Sequence, residues 1–282
     1  MMRVAIFGTI LAAVPILAQM PQNPSPMVEH TRAHRRLTQE TPPGRREAIE
    51  PGTLFLPDRL RLKNGIPLLV FFHGGAWIPE VAAARHRMAV ISVQIGAGSG
   101  VYARAFADPA GFPALLAEAE RRAGVRIGRV MLGGWSAGCG AIREILKSPE
   151  SYARVDATLM IDGIHSGYVN GKPGPLESEI ETDALQIWLQ LARDAIAGRK
   201  RAIITHSEIF PGTFASTTET ADFIIRQLGF KRRAVLKWGP MGTQQLSEVR
   251  AGRFLLIGYA GNTAPDHVDQ LHALPEYLKW LK

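Results

Sequence analysis

The 282-residue chain has a single cysteine, Cys139. One thiol cannot build an internal disulfide framework, nor can it supply the several sulfur ligands of a Cys-based structural zinc site. Aromatic residues make up 7% of the sequence, and they are not interleaved with a basic run in the manner of a single-strand nucleic-acid binder. Zinc-finger spacing is missing too, so nucleic acid is not an expected partner. No apolar run reaches the roughly 20 residues needed to cross a bilayer. Neither a Ser/Gly linker in the middle nor an internal repeat is visible, and one folded domain is expected. With 46% apolar and 21% charged residues the chain can bury a sizeable core, and that core must supply the stability that cross-links do not.

At the N-terminus Met1-Met2-Arg3 precedes an apolar stretch from Val4 to Ala18, interrupted by Pro15 and ending in Ile16-Leu17-Ala18 before Gln19. This is the pattern of a secretory signal peptide over residues 1–18, which places the mature protein in a periplasm or outside the cell. An uncleaved anchor is the alternative, but about 15 residues are short for a span. No cysteine follows the run to carry a lipid, so no stable membrane insertion is expected after cleavage. Removing residues 1–18 takes away one charged residue, Arg3, and leaves 32 basic against 25 acidic residues. Residues 19–51 are Pro-rich and carry Arg32, Arg35, Arg36, Arg45 and Arg46. They read as a mobile, solvated lead-in to a domain over residues 52–282, with attraction to anionic surfaces as a second reading.

Beyond residue 52 short β-rich apolar runs alternate with longer runs of 3.6-residue period, the signature of βα units on a mainly parallel sheet. The expected strands are Ile66 to Phe72, Ala89 to Ile95, Val130 to Gly133, Ala157 to Ile161, Ala202 to Thr205 and Phe254 to Gly258. The expected helices are Phe112 to Ala123, Cys139 to Leu146, Ala184 to Ala197, Thr218 to Leu228 and Val268 to Leu281. Ser216-Thr217-Thr218-Glu219 has the form of a capping box. Gly163 to Asp183, rich in Gly and Pro, reads as a surface excursion, with Tyr168 a residue that could touch a substrate.

The sharpest local signal is Gly134-Trp135-Ser136-Ala137-Gly138, a G-x-S-x-G between an expected strand and an expected helix. Small residues on both sides allow a strained turn that lifts the Ser136 hydroxyl above the sheet edge as a nucleophile. Upstream, the strand Leu68 to Phe72 ends in His73-Gly74-Gly75-Ala76-Trp77. This resembles the HGG oxyanion motif of esterases and lipases. With both motifs in this order, residues from about 52 to the C-terminus resemble the α/β-hydrolase superfamily, implying a three-layer α/β fold with a mainly parallel central sheet. The resemblance implies that backbone N–H groups of Gly74, Gly75 or Ala76, with that of Ala137, converge on an oxyanion, and that His73 supports the loop. It also implies that the catalytic base follows the last strand, where His267 stands at a loop–helix junction. His272, five residues on, reads as a packing or surface residue.

Two carboxylates follow strands on the correct side, Asp162 and Glu208. Either can hold a histidine tautomer and offset its developing charge. Asp162, 26 residues after Ser136, is preferred; its spacing resembles that of platelet-activating-factor acetylhydrolases, while Glu208 occupies the more usual family position. Asp266, His267, Asp269 and His272 follow no established ligand spacing, so no metal is expected. Gly96-Ala97-Gly98-Ser99-Gly100 lacks the dinucleotide-binding spacing, and no cofactor is expected. Cys139 reads as a small buried residue; His165, His206 and Ser207 are candidates to line a pocket.

These features imply a secreted serine hydrolase acting on a small-molecule or polymeric carboxylic ester through a Ser136–His267–Asp162 (or Glu208) triad. A peptidase or amidase uses the same groups, and a cell-envelope binding protein that has lost turnover is the rival of a different class. Oligomeric state has no signature in the sequence.

Overall fold

The computed structural model describes residues 33–282 apart from 63, 172 and 174–178; the expected signal peptide lies outside the described residues. Among the described residues ten strands form one sheet: β1 (Gly44–Ile49), β2 (Gly52–Pro57), β3 (Ile66–Phe72), β4 (Ala89–Val93), β5 (Ile127–Trp135), β6 (Ala157–Ile161), β7 (Arg201–His206), β8 (Arg233–Trp238), β9 (Gln244–Ala251) and β10 (Phe254–Tyr259). Their spatial order is β1-β2-β4-β3-β5-β6-β7-β10-β9-β8. From β4 through β10 the neighbours run parallel, while β1, β2, β9 and β8 are attached antiparallel at the two margins.

The central strands are apolar at consecutive positions because helices cover both faces of a parallel sheet. In β3, Leu68, Val70 and Phe72 enter the core on one face, and Leu69 and Phe71 that on the other. The helices are α1 (Trp77–His86), α2 (Ser99–Ala105), α3 (Gly111–Ala123), α4 (Cys139–Lys147), α5 (Pro149–Arg154), α6 (Gln186–Ile196), α7 (Thr217–Gln227), α8 (Ala264–His272) and α9 (Leu274–Tyr277). In α6, Trp188, Leu191, Ala192 and Ala195 are buried, as its apolar stripe requires. The result is a three-layer α/β-hydrolase fold. Among the described residues no helix is long and apolar enough to cross a membrane.

Residues 33–51 are not the mobile lead-in that their composition suggests. Gly44–Ile49 is a sheet strand, so the folded domain begins before residue 52. Three of the arginines that read as solvated charge, Arg36, Arg45 and Arg46, have partners far away in sequence. Arg46 pairs with Glu80 of α1 at 2.6 Å and lies 4.5 Å over the Phe55 ring. Arg36 reaches Asp269 of α8 at 2.9 Å, and His34 reaches the same carboxylate at 2.6 Å.

The excursion after β6 carries, among its described residues, an antiparallel bridge between Tyr168 and Ile180. Tyr168 is 2% exposed and donates to Glu219 at 2.8 Å, so it anchors the excursion to α7 and is not open to a substrate. The expected box at Ser216 and Glu219 opens α7.

Candidate active site

The turn after β5 places Ser136 at φ +48°, a left-handed conformation that costs a non-glycine residue on the order of 1–3 kcal/mol and persists where the surroundings impose it. They do so here. A Cβ at Gly138 would overlap the Phe72 carbonyl oxygen, so only glycine lets α4 start this close to β3. Ser136, half-buried, lies between β5 and α4 at the carboxyl end of the parallel strands.

His267 stands in the first turn of α8. That helix starts at Ala264, four residues before the expected Val268, because Thr263 and Asp266 form a reciprocal capping box with Pro265 in the first turn. The Nδ1 of His267 lies 2.7 Å from Asp162 Oδ2. Asp162 leaves the end of β6 at φ +43°, which aspartate tolerates better than most residues, and is 2% exposed. Its Oδ1 accepts from the Ser207 N–H (2.8 Å) and the Thr217 hydroxyl (2.7 Å), and its Oδ2 also accepts from the Ser207 hydroxyl (2.7 Å). Burial pushes this carboxyl up, but the bond and charge of His267 and the Ser207 and Thr217 donors outweigh it and hold the group at about 2. Glu208 is exposed, and its backbone N–H bonds the Gly261 carbonyl at 2.9 Å. The structure therefore brings Asp162, not Glu208, to His267.

Ser136, Asp162 and His267 line one cavity of about 100 Å³, closed on its apolar side by Ile209, Pro211 and Phe214. A second cavity of about 700 Å³ meets it at Ser136, His165 and Phe214, and runs past Ala137 and His73 towards Arg143 and Glu181. The expected oxyanion donors are in different situations. Ala137 lines the larger cavity beside Ser136. The Gly74 N–H is donated to Gln94 Oε1 at 2.7 Å, so it is committed within the loop. Gly75 is exposed and borders neither cavity.

His73 Nδ1 lies 3.0 Å from the Tyr102 hydroxyl, a hub that also meets Gln94 and the Gly96 carbonyl. His272 packs against Trp77 and accepts the Leu37 N–H at 3.2 Å, as a packing residue does. Cys139 is buried, and burial pushes its thiol up to about 11. His165 lines both cavities, while His206 is buried away from them with Nε2 2.7 Å from Arg232. Among the described residues His34, Asp266 and Asp269 bring ligand-type atoms within 4.8 Å of one another. The Arg36 guanidinium already supplies the cation at Asp269, and Asp266 is held by Thr263, so the group is an ion-paired cap.

Burial, followed by the nearby Arg232 charge, pushes His206 down to about 4; burial does the same to His165. An unfolded histidine takes its proton near pH 6.5. Between about pH 6.5 and 4 the unfolded chain therefore binds protons that the native chain refuses, and stability falls as pH falls. The Asp162 contribution is lost next, from about pH 3.8 towards 2. His206 alone is expected to remove up to about 3 kcal/mol by pH 4. Urea midpoints at pH 7.5 and 4.5 check this, and equal midpoints would refute it.

No protein-family model matches the chain, and no curated protein does. Among solved structures, acetyl xylan esterase from Aspergillus awamori is similar at 13% identity and TM-score 0.46, covering 81% of this chain and 92% of its own. A thermophilic esterase from the planctomycete Thermogutta terrifontis is similar at 15% identity and TM-score 0.46, covering 84% and 92%. A soluble variant of monoglyceride lipase from Saccharomyces cerevisiae is similar at 11% identity and TM-score 0.41, covering 89% and 100%. At these identities the likeness concerns the path of the chain.

Sequence reasoning missed Ser207 and Thr217 as holders of the carboxylate, and Gln94 and Tyr102 as supports of the His73 loop. A serine directly after a strand and a threonine in a helix's first turn carry no pattern of their own. Their roles arise from the sheet order, which sets the end of β7 beside the end of β6.

Proposed function

We propose that this chain is an exported serine hydrolase that cleaves carboxylic esters through an acyl-enzyme. The observation that carries the reading is the 2.7 Å pairing of His267 Nδ1 with the buried Asp162 in the cavity that Ser136 also lines. With Nδ1 engaged, Nε2 is the ring nitrogen that accepts the Ser136 proton as Oγ attacks the ester carbonyl. The Ala137 N–H stabilises the oxyanion; a second donor comes from the His73–Ala76 loop once that loop shifts, because Gly75 borders neither cavity and the Gly74 N–H is held by Gln94. The imidazolium, balanced by Asp162, returns its proton to the departing alcohol. Water then repeats the sequence on the acyl group and regenerates Ser136. Ester as the substrate class rests on the resemblance of the HGG loop to that of esterases and lipases. Export rests on residues 1–18.

Fluorophosphonate treatment tests the reading. The reagent is expected to stop hydrolysis of a short-chain chromogenic ester and to leave its mass on the peptide containing Ser136, with Ser136→Ala unlabelled. Labelled protein recovered outside the cytoplasm is expected to begin at Gln19. An unlabelled wild-type chain that turns over no ester would overturn the proposal and bring forward the binding protein; turnover of amides alone would identify the amidase.

A further inference from the structure

The Trp135 indole stands between the two histidines of the site. One face stacks on His73 with ring centroids 5.1 Å apart and planes 12° apart. The other meets His267 at 4.4 Å with a tilt of 32°. Its Nε1–H donates to the His267 backbone carbonyl at 3.0 Å. Trp135 is also the residue before Ser136, in extended conformation at the end of β5. One side chain thus ties the backbone that carries the serine to the backbone and ring of a histidine 132 positions away.

We propose that Trp135 is a positioning residue of this site, acting by the N–H bond that fixes the His267 peptide and by an aromatic face that meets the His267 ring when it becomes an imidazolium. This rests on the serine hydrolase reading. A cation over an indole within about 6 Å of the centroid is attracted by the ring quadrupole, and more strongly where water is excluded. The 4.4 Å separation satisfies that condition. The opposite face carries no competing cation near neutral pH, because burial and then the proximity of His267 push the His73 imidazole down. Trp135 lines neither cavity, so its action goes through His267 and not through substrate contact.

Two variants separate the parts. Trp135→Phe keeps an aromatic face and loses the N–H; Trp135→Leu loses both. The readouts are the fluorophosphonate labelling rate of Ser136 and the division of ester turnover between kcat and KM, with urea midpoints as the folding control. Trp135→Leu is expected to lower the labelling rate and kcat about tenfold with KM unchanged, and Trp135→Phe to fall between it and wild type. A purely structural tryptophan would lower the urea midpoint and leave kcat per folded molecule intact. Wild-type labelling and kcat in a folded Trp135→Leu would overturn the proposal while leaving the serine hydrolase standing. If the leucine variant does not fold, wild-type kcat in Trp135→Phe refutes the role of the N–H, and a lowered kcat at unchanged KM supports it. A wild-type chain that takes no label removes both readings together.

Discussion

Asp162→Asn is expected to lower kcat about ten-thousandfold, the loss a Ser-His-Asp triad suffers when its carboxylate becomes an amide, while Glu208→Gln leaves turnover within twofold. The cause lies in the four hydrogen bonds that Asp162 accepts. Oδ1 faces the Ser207 N–H, which can only donate, so an asparagine keeps its oxygen there and turns its NH2 towards Ser207 Oγ and His267. The hydroxyl can rotate and accept. The imidazole must shift its proton to Nε2 to present a lone pair at Nδ1, and Nε2 is then no longer able to take the Ser136 proton. Size and burial change little, so the variant is expected to fold. Exposed Glu208 has no corresponding part. Steady-state turnover of the chromogenic ester by both variants decides the matter; a collapse in Glu208→Gln with Asp162→Asn intact would exchange their roles.

Gly163→Ala is expected to reduce kcat about a hundredfold without touching any group that takes part in bond breaking. An added Cβ would lie 2.7 Å from the Ser136 amide nitrogen and would overlap the Ser136 carbonyl oxygen and the terminal methyl of Met160. The methionine can swing aside. The Ser136 backbone cannot do so cheaply, because its φ of +48° is already imposed by the packing of β5, α4 and β3. Overpacking of this kind costs about 1–3 kcal/mol, and a displacement of about 1 Å at a nucleophile is enough for a hundredfold loss. The folded variant, checked by urea titration, should label slowly with fluorophosphonate; wild-type kcat would show that the turn has room that the structure does not display.

What was legible in the sequence was whatever local patterning dictates. The unbroken apolar run of β3 and the five buried residues of β6, four of them apolar, are bounded as the sequence suggests, because both faces of each strand are covered. The Gly134–Gly138 turn was legible because a strained elbow demands small residues. β1, β8 and β9 were not, since strands at the sheet margins keep polar residues: β1 reads Gly-Arg-Arg-Glu-Ala-Ile, and Leu236 and Trp238 of β8 are exposed. β2 escaped notice although its Leu54–Pro57 end is buried, because its six residues border a stretch whose Pro and Arg content reads as linker. The position of His267 followed from the end of the last strand. The choice between Asp162 and Glu208 turned on the hydrogen-bond partners of each carboxylate, which are gathered from β7 and α7 and leave no trace near either residue. The arm was misread for a similar reason: arginines look solvated until Glu80 and Asp269 are known to stand beside them.

The ties from His34 and Arg36 to Asp269 join the first described residues to the last part of the chain. A ribosome makes Arg36 of the arm 233 residues before its partner Asp269 in α8. His267 cannot meet Asp162, and α8 cannot dock on the arm, until residues 264–272 have been made. A chain stalled or clipped just before residue 264 contains the residues of all ten described strands and Ser136, yet lacks His267. The pairing of His267 with Asp162 is therefore a late event in synthesis relative to Ser136, and the arm waits for the same helix that brings the histidine.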